Sequence, residues 1–277
     1  MNFFHLHLIS DSTGETVSSV ARAAIAQFDG VEVEEHSWSL VRTKGQVDKA
    51  LEGIRRKPGF VMYTIVDKAL RSYFKEGCAK MNVPCASVLS KVIFDLSNFL
   101  DMKASTKQPG KQHELDEEYF SRVEAINFAL NHDDGQSVWD LEEAEVILVG
   151  VSRTSKSPTS MYLAFRGYRA ANVPYVPNVP LPEILYRLKK PLIVGLTISP
   201  EVLIQIRRNR MLSINNPEET TYTDMEIVKD ELLEARKLFT KYKWPVIDVT
   251  RRSVEETSAN IIQYIQEKRD KDREGNR

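Results

Sequence analysis

The chain has only two cysteines among its 277 residues, Cys78 and Cys85. Two thiols exclude a disulfide framework and a four-cysteine zinc site, and their spacing is too wide for a CxxC redox pair. No apolar run approaches the ~20 residues needed to span a bilayer, and the opening MNFFHLHLISD does not read as a signal peptide. Charge of one sign is missing too: 38 Lys+Arg stand against 39 Asp+Glu, a net of −1. A general nucleic-acid binder carries a clear basic surplus, so that class is set aside. With 42% hydrophobic and 28% charged residues, the composition is globular rather than disordered. The expectation is a cytoplasmic protein of one large or two modest domains, with no membrane and no nucleic-acid partner.

The neutrality is a sum of unlike halves. Residues 1–143 carry 16 Lys+Arg against 22 Asp+Glu, a net of −6, whereas residues 144–277 carry 22 against 17, a net of +5. A basic second half joined to an acidic first half suggests that an anionic ligand is held mainly by the second, although surface drift would give the same count.

Apolar periodicity predicts strands alternating with helices. Strands are expected over Asn2–Ile9, Val31–Leu40, Phe60–Val66 and Cys85–Leu89, with helices over Thr16–Phe28, Lys44–Arg55, Asp67–Met81 and Lys91–Leu100. The stretch Met102–Gln112 contains Pro109-Gly110 and three lysines and reads as a loop or linker, followed by a helix over Asp116–Asn131. Alternation then restarts. Strands are expected at Glu145–Val149, Val173–Val176, Leu192–Thr197 and Val246–Val249. Helices are expected at Lys156–Arg166, Leu181–Leu188, Pro200–Leu212, Thr223–Tyr242 and Ser253–Gln266. No internal repeat stands out. The fold class is α/β, parallel sheets flanked by helices. The domain reading is an N-terminal α/β domain over 1–101, a linker and connecting helix over 102–143, a P-loop kinase-like nucleotide-binding domain over 144–268, and a charged tail over 269–277.

The sharpest motif is VILVGVSRTSKS, residues 146–157. A buried strand ends at Gly150, and six residues later Lys156-Ser157 opens a helix, with Pro158 just inside it. This is the strand–GxxxxGK[ST]–helix layout of a phosphate loop, with Ser155 standing where the second glycine normally lies. Such a loop curls backbone N–H groups around phosphate oxygens at a helix N-terminus, whose partial positive charge favours anions. Gly150, Val151, Ser152, Arg153, Thr154, Ser155, Lys156 and Ser157 are therefore the candidate nucleotide-binding residues. Lys156 would neutralise phosphate oxygens, Ser157 would place its hydroxyl on Mg²⁺, and Arg153 adds a cation. Arg207, Arg208 and Arg210 fall on one half of a later helix and suit either a phosphoryl clamp or a solvated basic face.

Two acidic turns compete for the proton-transfer role. Ser10-Asp11-Ser12-Thr13-Gly14 also lies between a strand and a helix, where open α/β sheets bind ligands, yet Ser12 with Glu15 fits a plain capping box. His132-Asp133-Asp134-Gly135 sets adjacent carboxylates beside an imidazole, suited to a Mg²⁺ ligand or general base, and equally to a helix-ending turn. Asp11, Asp133 and Asp134 are thus candidates beside Lys156. His5 and His7, on one face of the first strand, read as structural, and His113 has no local partner.

Five segments together resemble one family: Ile9–Thr16 (ISDSTGET), His132–Gly135, Gly150–Ala164 (GVSRTSKSPTSMYLA), Ala171–Pro174 (ANVP) and Gly195–Arg207 (GLTISPEVLIQIR). They are similar to the bifunctional regulatory proteins of pyruvate, phosphate dikinase and of phosphoenolpyruvate synthase. The resemblance implies a serine/threonine kinase that uses ADP as donor to phosphorylate, and so inactivate, its target on a threonine. It also implies a phosphorylase that removes that phosphate with inorganic phosphate, releasing pyrophosphate. The loop SRTSKS, residues 152–157, is closer to the dikinase branch (SRTSKT) than to the synthase branch (SRCGKT), with Ser157 keeping the hydroxyl of the usual threonine. The implied partner is pyruvate, phosphate dikinase, with the synthase as alternative target; the oligomeric state is left open, a homodimer being compatible with an α/β protein of this kind. Outside the resemblance, the alternatives are a small-molecule ATP-dependent P-loop kinase and a nucleotide-sensing binding module.

Overall fold

The computed structural model describes residues 2–104, 117–213 and 221–275; most of the expected 102–112 loop, and His113, lie outside them. The chain divides into two compact units, residues 1–114 and 115–277.

In the first unit four strands and four helices alternate: β1 (Asn2–Ser10), α1 (Glu15–Ile25), β2 (Val31–Trp38), α2 (Lys44–Arg56), β3 (Gly59–Thr64), α3 (Lys68–Lys80), β4 (Cys85–Ser87) and α4 (Ser90–Phe99). The sheet order is β2-β1-β3-β4, and every pairing is parallel. The period of two in β1 explains the layers. Leu6 and Leu8 pack with Val17 and Ala21 of α1, while Ile9, on the other face, packs with Val47, Ala50 and Ile54 of α2 and Phe74 of α3. Each such fully buried aliphatic contributes roughly 1.5–3 kcal/mol. Local signals set the helix starts: Thr43 and Gln46 form a reciprocal capping box on α2, and Asp67 accepts the Leu70 N–H at 2.7 Å on α3.

The second unit runs α5 (Glu117–Asn131), β5 (Val146–Gly150), α6 (Lys156–Phe165), β6 (Ala170–Pro174), β7 (Leu192–Thr197), α7 (Pro200–Ser213), α8 (Met225–Lys241), β8 (Val246–Asp248) and α9 (Val254–Gly275). Its sheet order is β6-β5-β7-β8, again all parallel. The wiring of the first sheet is therefore repeated in the second, a repeat that leaves no trace as sequence self-similarity. All five residues of β5 are buried, as expected of a strand covered on both faces. Helix α5 belongs to this unit and packs on α6 through Ala125, Ala129 and Ala164.

Two expected elements differ. Leu181–Leu188 is not a helix but one 3-10 turn over Glu183–Tyr186. Pro180 and Pro182 remove backbone donors at its start and bias the preceding residues toward extended conformations, which leaves no room for more turns. The last helix does not end near Gln266 but continues to Gly275, its mixed charges falling at helical spacing, as in Asp270 and Arg273 at 3.9 Å. No helix among the described residues is long and apolar enough to cross a membrane.

Candidate active site

In the second sheet β5 is followed by β6 on one side and by β7 on the other, so chain direction across the sheet reverses beside β5. Ligands of open α/β sheets bind outside the carboxyl ends of the strands at such a reversal. The loop Val151–Ser155 lies there, between β5 and α6.

Two close contacts explain Gly150. A Cβ there would meet Leu196 O at 2.7 Å and Thr154 Oγ1 at 2.8 Å. Thr154 is itself fixed, donating to Val151 O at 2.9 Å. Gly150→Ala is therefore expected to destabilise the second unit by about 1–3 kcal/mol, read by chemical denaturation, because backbone and a buried hydroxyl must both give way. Two residues of the loop take left-handed backbone, Arg153 (φ 72) and Ser155 (φ 60). Ser155 thus adopts the conformation for which glycine is the usual choice, and the serine accepts that cost without changing the turn.

Lys156, the first residue of α6, is buried, and its ammonium donates to Val151 O at 3.0 Å. Burial pulls its pKa from 10.5 to about 8, opposed by the nearby Asp134 and Asp133 carboxylates and reinforced by Arg207. The group is a cation lacking an adequate counter-charge.

Both carboxylates come from the turn after α5, where Asp134 is held in left-handed backbone (φ 55). Asn172 of β6, fully buried, is the organiser that sequence reasoning passed over. Its carbonyl oxygen accepts the Asp134 N–H at 3.0 Å, and its amide donates to an Asp133 oxygen and, at 3.5 Å, to Ser157 Oγ. The only signal was its place in ANVP: an amide in the middle of an otherwise apolar buried strand must find polar partners. Asp134, Ser152, Arg153, Ser155, Lys156 and Ser157 line a cleft of about 510 Å³. The Asp134 carboxylate and the Arg153 guanidinium are exposed and engage no hydrogen bond or ion pair among the described residues.

His132 is not part of this constellation. It is buried, with Nδ1 at 2.7 Å from Phe128 O and Nε2 at 2.7 Å from Asp140 Oδ1, so both ring nitrogens are committed to holding the turn. Arg207 is not a free phosphoryl clamp either. It is 2% exposed and paired through two nitrogens with Glu231 at 2.8 and 3.0 Å. It also donates to Ser152 O at 3.3 Å and Tyr222 O at 3.1 Å and stacks over the Tyr222 ring. Its place is behind the loop, bracing it.

The amino-terminal turn is arranged differently. Helix α1 starts at Gly14 (φ 92) with no side-chain cap, so the Ser12–Glu15 box does not form. Asp11 is buried and accepts the Val66 N–H at 2.6 Å, tying the turn to the end of β3, and burial raises its pKa. Ser10 Oγ accepts from Ser12 N at 3.1 Å and Thr64 Oγ1 at 3.0 Å.

Two parallel α/β units, one carrying a buried lysine in a strand–loop–helix turn, define the structural class. Within it, the chain belongs to the kinase/pyrophosphorylase family, whose profile matches residues 6–262. It is 53% identical over 263 residues to a protein of Paramagnetospirillum magneticum named as a pyruvate, phosphate dikinase regulatory protein, covering 95% of this chain and 84% of the relative. A protein of Maricaulis maris with the same name is 49% identical over 266 residues, covering 96% and 95%. The chain is accordingly an enzyme of the kinase/phosphorylase type.

Proposed function

We propose that this chain is a bifunctional regulator of pyruvate, phosphate dikinase. It transfers a phosphoryl group from ADP to a threonine of the dikinase, inactivating it, and removes that group with inorganic phosphate, releasing pyrophosphate. The relatives' names and the dikinase-like loop support the target. The observation that carries the chemistry is Lys156, a buried cation near the Asp134 and Asp133 carboxylates, in a cleft that Asp134 and Ser157 also line.

In this reading the N–H groups of 150–157 and the Lys156 ammonium hold the β-phosphoryl of ADP, which brings the missing counter-charge. Arg153 covers its outer oxygens. Asp134, exposed and uncommitted, takes the threonine proton, whereas Asp133 is oriented by Asn172 toward Ser157. Ser157 and Asp133 are hard oxygen donors and fit Mg²⁺, which when bound would neutralise phosphate charge. The Asp11 carboxylate is committed to the Val66 N–H, so the base is assigned to Asp134 rather than to Asp11. In the opposing activity, a separate reaction rather than the reversal of the first, inorganic phosphate is a second anion that draws on the same cations.

The pH dependence follows from Lys156. Its pKa is lowered, so the free protein loses the charge above about pH 8, and a bound anion restores it. ADP affinity is expected to fall by up to tenfold per pH unit between about 8 and 10, with proton uptake on binding. Calorimetry in buffers of different ionisation enthalpy measures both, and a flat profile would remove Lys156 from the site.

The function itself is tested by incubating the protein with β-labelled ADP and purified dikinase. Labelled threonine on the dikinase, released as labelled pyrophosphate by phosphate, is expected. Transfer from ATP to a small metabolite, or nucleotide binding without transfer, would overturn the proposal in favour of a metabolite kinase or a sensing module.

A further inference from the structure

The histidines of β1 form an arrangement that the phosphoryl chemistry does not use. In the parallel register His5 lies opposite Glu34 and His7 opposite His36, so all four share one face of the β1–β2 pair. His5 Nδ1 lies 3.2 Å from His36 Nε2 and 3.4 Å from Glu34 Oε2, and His36 Nε2 lies 3.6 Å from Glu34 Oε1. Among the described residues, these three are the group of His, Cys, Asp and Glu side chains whose ligand atoms converge closely enough to share one ion.

These separations have a geometric meaning. A tetrahedral ion with ligands at about 2.0–2.1 Å sets its ligand atoms about 3.3 Å apart. The two nitrogens are spaced as two such ligands would be, and the carboxylate approaches both, through Oε2 toward His5 and Oε1 toward His36. The surroundings separate ligands from supports. His7 stacks on His36 with ring centres 4.8 Å apart, but its own nitrogens are engaged: Nδ1 accepts from Trp38 Nε1 at 3.3 Å, and Nε2 meets Lys57 O at 2.8 Å. It fixes the His36 ring and leaves the ligand set at three. Lys57 Nζ holds Glu34 Oε1 at 2.5 Å, leaving Oε2 toward His5.

We propose that His5, Glu34 and His36 bind a zinc-type divalent cation, with two imidazole nitrogens and one carboxylate oxygen as ligands and the fourth position open to water. Two imidazoles select zinc, cobalt or nickel over magnesium, which prefers six oxygens. The ion would tie the edge strand β2 to β1, wholly within the first unit.

The test uses the full chain stripped with a chelator and titrated with zinc against a chromophoric competitor. One equivalent is expected, not displaced by excess magnesium, and lost in His36→Ala and in His5→Gln. Because either variant can disturb the sheet, ¹⁵N-histidine spectra of the unaltered protein provide a second measurement. Zinc is expected to move the His5 Nδ1 and His36 Nε2 signals and to leave the two His7 nitrogens in place. No bound equivalent, an equivalent that survives in both variants, or unmoved His5 and His36 signals would overturn the site.

Discussion

Replacing Glu231 with alanine is expected to cost the second unit about 3–5 kcal/mol of stability. The change leaves Arg207, 2% exposed, charged and without its counter-ion. Surface pairs offer a contrast: Lys229 and Glu226, also bonded at 2.9 Å, are well exposed, and such pairs contribute at most about 1 kcal/mol. Guanidinium unfolding compares the two sites directly. A Glu231→Ala loss no larger than that of Glu226→Ala would mean that the buried pair contributes nothing particular. The loop should loosen as well, since Arg207 is the donor that grips Ser152 O from behind. A double variant, Arg207→Met with Glu231→Leu, removes both charges and is expected to recover most of the stability while leaving Ser152 unbraced.

Lys156→Met is expected to slow ADP-dependent labelling of the dikinase by about a thousandfold or more, because phosphoryl transfer rests on positioning and charge neutralisation. The same change should raise stability. Folding takes the lysine pKa from 10.5 to about 8, so the charged form is disfavoured in the free protein by roughly 3 kcal/mol at neutral pH. The sign follows from proton counts. Between about pH 8 and 10.5 the unfolded chain holds a proton that the folded chain has lost, so stability contributed by this group rises with pH across that window. In Lys156→Met the rise vanishes. Labelling rates and pH-dependent unfolding of one variant therefore move in opposite directions, a pattern that a merely structural lysine would not give. Retained labelling would remove Lys156 from the chemistry.

Much of the architecture was legible because it is written in local, periodic signals. The apolar run Val146–Val149 and the capping residue Asp67 mark a strand and a helix start without knowledge of distant neighbours. What escaped depends on such neighbours. Arg207 looked like a surface cation until Glu231, 24 positions away, was found beneath it. The sequence set His132 beside two carboxylates without giving it a task, and only the fold brings Phe128 O and Asp140 to its two ring nitrogens. Asn172 carried no motif of its own, and its task becomes visible only when β6 lies beside β5 and the turn of Asp133–Asp134 reaches it. At Ser155 the left-handed backbone angle is present without the glycine that usually announces it.

The parallel pairing of both sheets has a consequence for how the chain acquires its shape. Parallel neighbours cannot be joined by a tight turn, so each hydrogen-bonded strand pair closes only after a crossover is in place. The central pairing β1–β3 joins His5 to Gly59, and β5–β7 joins Val146 to Leu192, each a closure of several dozen residues. Such closures lose chain entropy before any contact returns it, which slows folding relative to helical or hairpin proteins. Each sheet, wired alike and holding its own core, should then protect its amides as one cooperative block, with β1 and β5 the last to exchange.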